Sequence, residues 1–486
     1  MHYRIGIDIG TTSTKAVLFD DKNRIQAIAN EGYPTLRPAP DKSEQNPRQI
    51  LEAVKKAIKQ LTAQLPKGDY VSFLSFSSAM HALMAVDETG EPLTNMWLWS
   101  DNRAHKQIDS LKKEENWLSY YLKTGTPVHA MSPFAKLLWM KEETNLLETA
   151  HKLIGIKEYL FYNLTGHYAI DYSIASATGL FNIHNLTWDT EILAQLKLNP
   201  RKLSEPVDVT TSFSFKSEQL SEELGLSSDT KLIIGASDGC LANLGTGANA
   251  IGEVALTIGT SGALRMTLEK PYLDPEGRTF CYYLAPGKWV VGGAVNNGGN
   301  VVEWLNTLLF EQEKRVYEEL PTALCKTEIG AAGLLFIPYI NGERAPIWDG
   351  SARGTFYGLS AFHTKHHLMR AALEGILYNL KEVLSILEGI GGKTRAVKAS
   401  GGFLASEDWA QLTADILGYP LMISDSPESS SLGAVLLVEA SALEVETGSV
   451  IESNLVNHEN YLTVYKKYLH FRDALHLLEH QYKALA

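Results

Sequence analysis

Within eight residues near the start of the sequence stand a carboxylate, Asp8, four consecutive hydroxyls, Thr11, Thr12, Ser13 and Thr14, and an ammonium group, Lys15. The surrounding stretch, GIDIGTTSTKAVLFD, reads as an alternating apolar strand, a tight turn and a second apolar strand. A turn needs φ > 0 at one position, and a single Gly or Asn supplies it. Hydroxyls in series with backbone N–H groups between them make a cradle for an anion, and the neighbouring carboxylate suits a cation carried with it. A polar surface hairpin explains these residues equally well, because short Gly/Thr/Ser runs recur by chance.

Two further stretches place chemistry at the end of a strand. In KLIIGASDGCLANLGTGA, Asp238 follows a strand and precedes a helix. It reads either as an N-cap, which needs no function, or as a general base at the carboxyl end of a strand, where α/β folds gather ligands. In ASGGFLAS, the double Gly401-Gly402 bares backbone to a flat ligand or a phosphate. Two other motifs carry less. GIGGKT resembles the end of a P-loop, but Leu387 stands where the first Gly is needed and the segment follows a helix. His363, His366 and His367 in HTKHH lack a carboxylate or Cys partner at ligand spacing and read as a solvated helix start.

The elements that position these residues alternate between strand and helix, which makes this an α/β chain. Pro47 to Leu65 predicts an amphipathic helix opened by Asn-Pro, a helical pattern dominates from Ala104 to Leu164, and a long helix starts near Thr364. SSSLGAVLLVEAS is a small-residue helix, and Tyr461, Tyr465, Tyr468, Leu475, Leu478 and Tyr482 form a helical stripe that reads as core. The opening device returns: Ile9-Gly10-Thr11-Thr12 aligns with Ile258-Gly259-Thr260-Ser261, 249 residues later. A repeat of half the chain predicts a duplicated domain, divided into 1–248 and 249–486. Asp8 aligns with Thr257, so only the first copy brings a carboxylate, and one asymmetric metal site follows.

With 486 residues, two domains are the natural reading. The formal charge of −12 provides no footprint for nucleic acid or an anionic membrane surface. Neither a signal segment nor a membrane span is legible. Cys240, Cys281 and Cys325 are odd in number and widely spaced, as free thiols in a reducing cytoplasm would be.

MSPFAKLLWMKEE (Met131 to Glu143) and GTFYGLSAFHTKHHLMRAALE (Gly354 to Glu374) resemble the two long signatures of the FGGY carbohydrate kinases, and the resemblance runs over nearly the whole chain. It implies two ribonuclease H-like domains around a central cleft, the superfold of actin, sugar kinases and heat-shock ATPases, with ATP and Mg²⁺ as cofactors. By that likeness Thr11, Thr12, Ser13 and Lys15 hold phosphates with Thr260 of the second hairpin, and Asp8 serves the metal. Gly299, Glu303, Gly402 and Ser406 fall at nucleotide-contact positions, and Asp238 at that of the catalytic base. Met80 and His81 correspond to the Met-His pair of xylulokinase-like members, with Met131 and Trp99 to Arg103 flanking the same pocket. Where those members read Gln-Met-His-Gly, this chain has Ala79-Met80-His81-Ala82, and Gly239 replaces the usual Asn or Gln after the base. The overall character is most like the gluconate-phosphorylating branch, which implies phosphorylation of a terminal hydroxyl of an open-chain sugar acid. Arg103, Lys157 and His81 could then meet its carboxylate. A pentulose kinase remains the alternative within the family, and a non-catalytic ATP- or sugar-binding sensor the alternative outside enzymes. The partner is a small sugar or sugar acid, not nucleic acid or membrane; a homodimer is left open.

Overall fold

The computed structural model of the chain describes residues 1–310, 315–424, 428–439 and 447–485. These fall into two compact units. The first comprises Met1–Gly247, Thr267–Val291 and the described part of 426–445; the second comprises Ala248–Met266 and the described parts of 292–425 and 446–486. A single linear division at 248/249 is thus crossed twice, because 267–291 and a later helix pack with the first unit.

In the first unit β1 (His2–Ile9), β2 (Ser13–Phe19) and β3 (Ile25–Gly32) are followed by α1 (Pro47–Thr62) and β4 (Tyr70–Ser78). Asn46 caps α1 by accepting from the Arg48 N–H, and Pro47 fits the first turn, where no donor is needed. Ile50, Val54, Ala57, Ile58 and Leu61 give α1 one buried face, packed with Ile5, Ile7 and Ile9 of β1. The stretch read as continuously helical from Ala104 to Leu164 is instead broken. It holds His105–Leu111, Leu118–Thr124, α2 (Pro133–Glu143), Leu146–Thr149, the strand Lys152–Ile154 and α3 (Ile156–Thr165). Gly125 ends one helix in the left-handed region at φ 68°, and Ser132-Pro133 caps and restarts the next. β5 (Ser212–Phe213), β6 (Lys231–Ser237) and α4 (Asp238–Gly245) complete the run. The sheet order is β5-β6-β4-β1-β2-β3, with β6, β4 and β1 mutually parallel.

The second unit repeats the device with β7 (Glu253–Ile258) antiparallel to β8 (Gly262–Leu268). α5 (Gly299–Phe310), α6 (Lys365–Gly391), β9 (Ala396–Ser400), α7 (Glu407–Leu417) and β10 (Leu421–Ser424) follow. β9 lies parallel to β7 and to β10. α8 (Ser429–Glu439) belongs to the first unit, whereas β11 (Thr447–Ile451) and α9 (Leu455–Leu485) belong to the second. The tyrosine stripe of α9 is core through Tyr461, Tyr465 and Tyr468, but Leu478 is 50% exposed and the Tyr482 side chain lies outside the described residues.

α8 explains its small-residue composition. Odd residues of β1 face α1, whereas Arg4 and Gly6 face α8: Arg4 Nη2 donates to Glu439 Oε2 at 3.0 Å, and a Cβ at Gly6 would stand 2.1 Å from Ser431 O. A Cβ at Gly433 would meet Leu241 O at 2.0 Å, and one at Gly245 would meet Ser429 O at 1.9 Å. Backbone therefore packs on backbone between α8, α4 and β1. Gly433→Ala is expected to destabilise the protein by about 2–3 kcal/mol, overpacking outweighing the better helix propensity of Ala. Gly389→Ala, in α6, where an added Cβ would meet no described atom within 4 Å beyond its chain neighbours and its own helix backbone, should instead stabilise by roughly 0.5–1 kcal/mol. Urea denaturation of both variants checks the pair; equal effects would refute the packing argument.

Candidate active site

β1, β4 and β6 end side by side, since Ile9 pairs with Ser78 and Ser78 with Ser237. Three sequence-predicted features therefore emerge from adjacent strand ends: the first hydroxyl hairpin from β1, Ala79-Met80-His81 from β4 and Asp238 from β6. Parallel strands gather ligands at this end.

In the first hairpin Gly10 N donates to Ser13 O at 3.0 Å, closing a four-residue turn. Gln45 Nε2 donates to Thr11 O at 2.5 Å, Trp99 Nε1 to Thr11 Oγ1 at 3.1 Å and Tyr33 OH to Gly10 O at 2.7 Å. Thr12 is exposed and Ser13 half-buried, whereas Thr14 is fully buried against Tyr33. Thr14 is thereby withdrawn from the row of four hydroxyls. Asp8 Oδ1 accepts from Ser77 Oγ at 2.7 Å. Burial pushes its carboxyl up, and the Ser77 hydroxyl and the Lys15 ammonium oppose that shift. Lys15 Nζ is itself 2.9 Å from Glu428. No cluster of three or more potential metal-ligating side chains occurs among the described residues. The hard carboxylate oxygens of Asp8, beside the hydroxyl hairpin, are of the kind that would hold a Mg²⁺ ion.

Asp238 opens α4 as its first residue, with Ser237 at the N-cap position, so the aspartate is not itself the N-cap. Its Oδ1 accepts from Gly239 N at 2.6 Å. Lys157 anchors the strand end beside it: Nζ donates to Ala236 O and to Asp171 Oδ2, each at 2.8 Å. Burial pushes the Lys157 ammonium down, and Asp171 and Asp238 hold it up. His81 is 7% exposed, sits at φ 67° and meets Ala177 O through Nδ1 at 2.7 Å, so Nδ1 carries a proton. Met131 is buried in the turn before α2, and Met80 lines a small cavity with Thr11, Gln45, Leu98 and Trp99. Gln45 Oε1 is buried there with no hydrogen-bond partner among the described residues, an acceptor that no motif in the sequence signals.

Two expectations are corrected. Arg103, 5% exposed, donates to Asp101 Oδ1 at 2.7 Å and Glu44 Oε1 at 2.6 Å, and its guanidinium lies 3.9 Å over the Trp97 ring. Two carboxylates outweigh its single charge. Lys157 is matched by Asp171. Each of these buried charges is thus matched by a carboxylate within the fold, as burial requires.

The second unit brings Thr260, Gly299 and Gly402 to the ends of β7 and β9. Gly259 N donates to Ser261 O at 2.9 Å, and Gly299 N and Asn300 N, opening α5, donate to Gly259 O at 2.8 Å and Thr260 O at 3.0 Å. Thr257 Oγ1 lies 3.1 Å from Ser400 Oγ, its register partner, as Asp8 lies against Ser77. Gly401 needs its glycine, with φ 109° and a Cβ position 2.3 Å from Ile258 O; Gly402 is exposed with nothing within 4 Å. Glu303 is exposed on α5, and Ser406 caps α7 by accepting from Trp409 N. The histidine tract is structural. His367 completes the capping box of α6 with Thr364, His366 pairs with Glu319 and His363 bonds Ser360.

Residues 3–245 match the N-terminal domain of the FGGY family of carbohydrate kinases, and residues 254–442 match its C-terminal domain. Gluconokinase of Bacillus subtilis is 44% identical over 90% of this chain and 86% of its own length. Two solved structures from Lactobacillus acidophilus, a ligand-bound xylulose kinase and a gluconate kinase, superpose with TM-scores of 0.93 and 0.92; each is 36% identical and covered, like this chain, over 98% of its length. No helix among the described residues is long and apolar enough to cross a membrane. With both of its halves matched, and with a fold shared over almost every residue, the chain belongs to the FGGY family of carbohydrate kinases and is a phosphotransferase.

Proposed function

We propose that the chain transfers the γ-phosphoryl group of ATP to the terminal hydroxyl of D-gluconate, giving 6-phospho-D-gluconate and ADP. The observation that carries the acceptor is the 44% identity to the Bacillus gluconokinase over 90% of this chain. The solved neighbours support a second reading equally, since a xylulose kinase and a gluconate kinase stand at the same 36%. Ala79, however, supplies no polar contact to a ketose.

Phosphoryl transfer passes through a loose transition state, so the protein mainly positions the reactants and neutralises charge. Asp238 takes the proton of the acceptor hydroxyl as its oxygen forms the new bond to phosphorus and the bond to ADP breaks. Thr11, Thr12 and Ser13, with the N–H groups between them, orient phosphate oxygens. Lys15 reaches a phosphate only by exchanging its partner Glu428. Asp8 is the residue to hold Mg²⁺, which when bound neutralises phosphate charge. On the second unit Thr260 is the residue to contact phosphate, and Gly299, Glu303, Gly402 and Ser406 are those to contact the nucleotide. Met80, His81 and Met131 shape the acceptor site. Arg103 and Lys157 are already neutralised by carboxylates of the fold.

Asp238→Asn is expected to lower turnover by about two to four decades with substrate affinities changed only a few-fold, the usual worth of a positioned proton acceptor. A folded variant with full turnover would remove Asp238 from that role. A coupled assay for ADP across D-gluconate, D-xylulose, D-ribulose and glycerol tests the acceptor, with the highest kcat/KM expected for gluconate; preference for xylulose would move the chain to the pentulose branch. Arg103→Met should impair gluconate and xylulose alike, because it breaks a buried ion-pair cluster. A KM increase confined to gluconate would return Arg103 to the carboxylate.

A further inference from the structure

Lys136, in α2, is fully buried at 0% exposure. A buried ammonium needs compensation, yet no carboxylate among the described residues pairs with it. Its Nζ instead faces four main-chain carbonyls: His81 O at 2.5 Å, Leu98 O at 2.7 Å, Met131 O at 2.9 Å and Trp97 O at 3.4 Å. An ammonium has three N–H donors, so three short bonds saturate it and the longest contact shares a proton. Burial pushes the Lys136 ammonium down to about 7, Asp101 opposes that and Arg103 adds to it. The oxygen ends of four carbonyl dipoles favour the charged form.

These carbonyls come from three separate chain segments. His81 follows β4, Trp97 and Leu98 lead into WSDNR, and Met131 precedes α2. The same three segments carry the residues placed around the acceptor. His81 also holds a left-handed backbone at φ 67°, a conformation that a non-glycine residue keeps only when its surroundings over-determine it. Lys136 grips its carbonyl, while Ala177 O engages its ring.

We propose that Lys136 is a positioning residue for the acceptor site: its ammonium gathers the carbonyls of three segments and thereby sets the places of His81 and Met131. This rests on the reading of those residues as the acceptor site, but not on which acceptor is used. A methionine of similar length would fill the space while stripping the donor from all three segments. A scaffold role alone would lower stability or yield and leave the Michaelis constants of the folded fraction untouched.

The experiment first ranks D-gluconate, D-xylulose and glycerol with the wild type and then uses the preferred acceptor, so a preference for xylulose corrects the acceptor assignment alone. Lys136→Met is expected to raise the acceptor KM at least tenfold while the KM for ATP moves less than threefold, in protein whose circular dichroism matches wild type. Should that variant not fold, Lys136→Gln, whose two N–H donors can serve at most two of the three segments, carries the same comparison with the same split. An acceptor KM within twofold of wild type in either folded variant overturns the proposal. So does a parallel rise of both Michaelis constants.

Discussion

The close approach of main chain to main chain around α8 is the constraint on which the first unit depends. Gly6, Gly245 and Gly433 leave no side chain between β1, α4 and α8, and a Cβ at any of them would stand within 2.1 Å of a carbonyl oxygen. α4 begins with Asp238, and β1 carries Asp8 and runs into the hydroxyl hairpin. The helix that sets both is 191 residues beyond Asp238 in sequence, beginning at Ser429, and its approach also brings Glu428 to Lys15. A side chain at these glycines would push apart the elements from which the candidate site emerges. Protein interiors transmit such displacements because they are packed as densely as crystals.

A second regularity is the way buried charge is closed off. Arg103 is matched by Asp101 and Glu44, Lys157 by Asp171, and Lys136 by carbonyl oxygens. Lys157 ties distant stretches together beside Asp238 and Lys136 does so at His81 and Met131, while Arg103 joins Glu44 to Asp101. Arg103 and Lys157 read in the sequence as available positive charge, and all three serve in the structure as internal braces. Breaking such a pair leaves its partner buried and uncompensated, which costs more than the pair itself contributes.

The two hairpins show what duplication keeps and what it releases. In both units the residue before the last in the first strand meets a serine on the neighbouring parallel strand, Asp8 with Ser77 and Thr257 with Ser400. The hydrogen bond survives while the carboxylate appears once. The turns differ too: Ile9 pairs with Thr14 across four residues, and Ile258 with Gly262 across three. The second turn rests on the N-terminus of α5, whereas the first is held by Gln45, Trp99 and Tyr33.

Local pattern was enough for much of this protein. Strand alternation, the Asn46-Pro47 helix start, the capped start of α6 and the repeat at Thr260 depend on neighbours in sequence, and the two signatures identify the family. The broken helices between Ala104 and Leu164 were harder, because apolar residues continue through the Gly125 and Ser132 boundaries and mask them. The sequence also determined which residues could do chemistry, since Asp8, the hydroxyls, His81 and Asp238 are chemical types at strand ends. Tertiary structure alone decided which charges remain for a ligand. Whether Arg103 binds substrate or braces the fold depends on Glu44 lying 2.6 Å away, and whether Lys136 is a surface cation or a buried clamp depends on three loops that converge on it. Neutralisation and burial are set by groups far apart in the chain, and no local pattern encodes those distances.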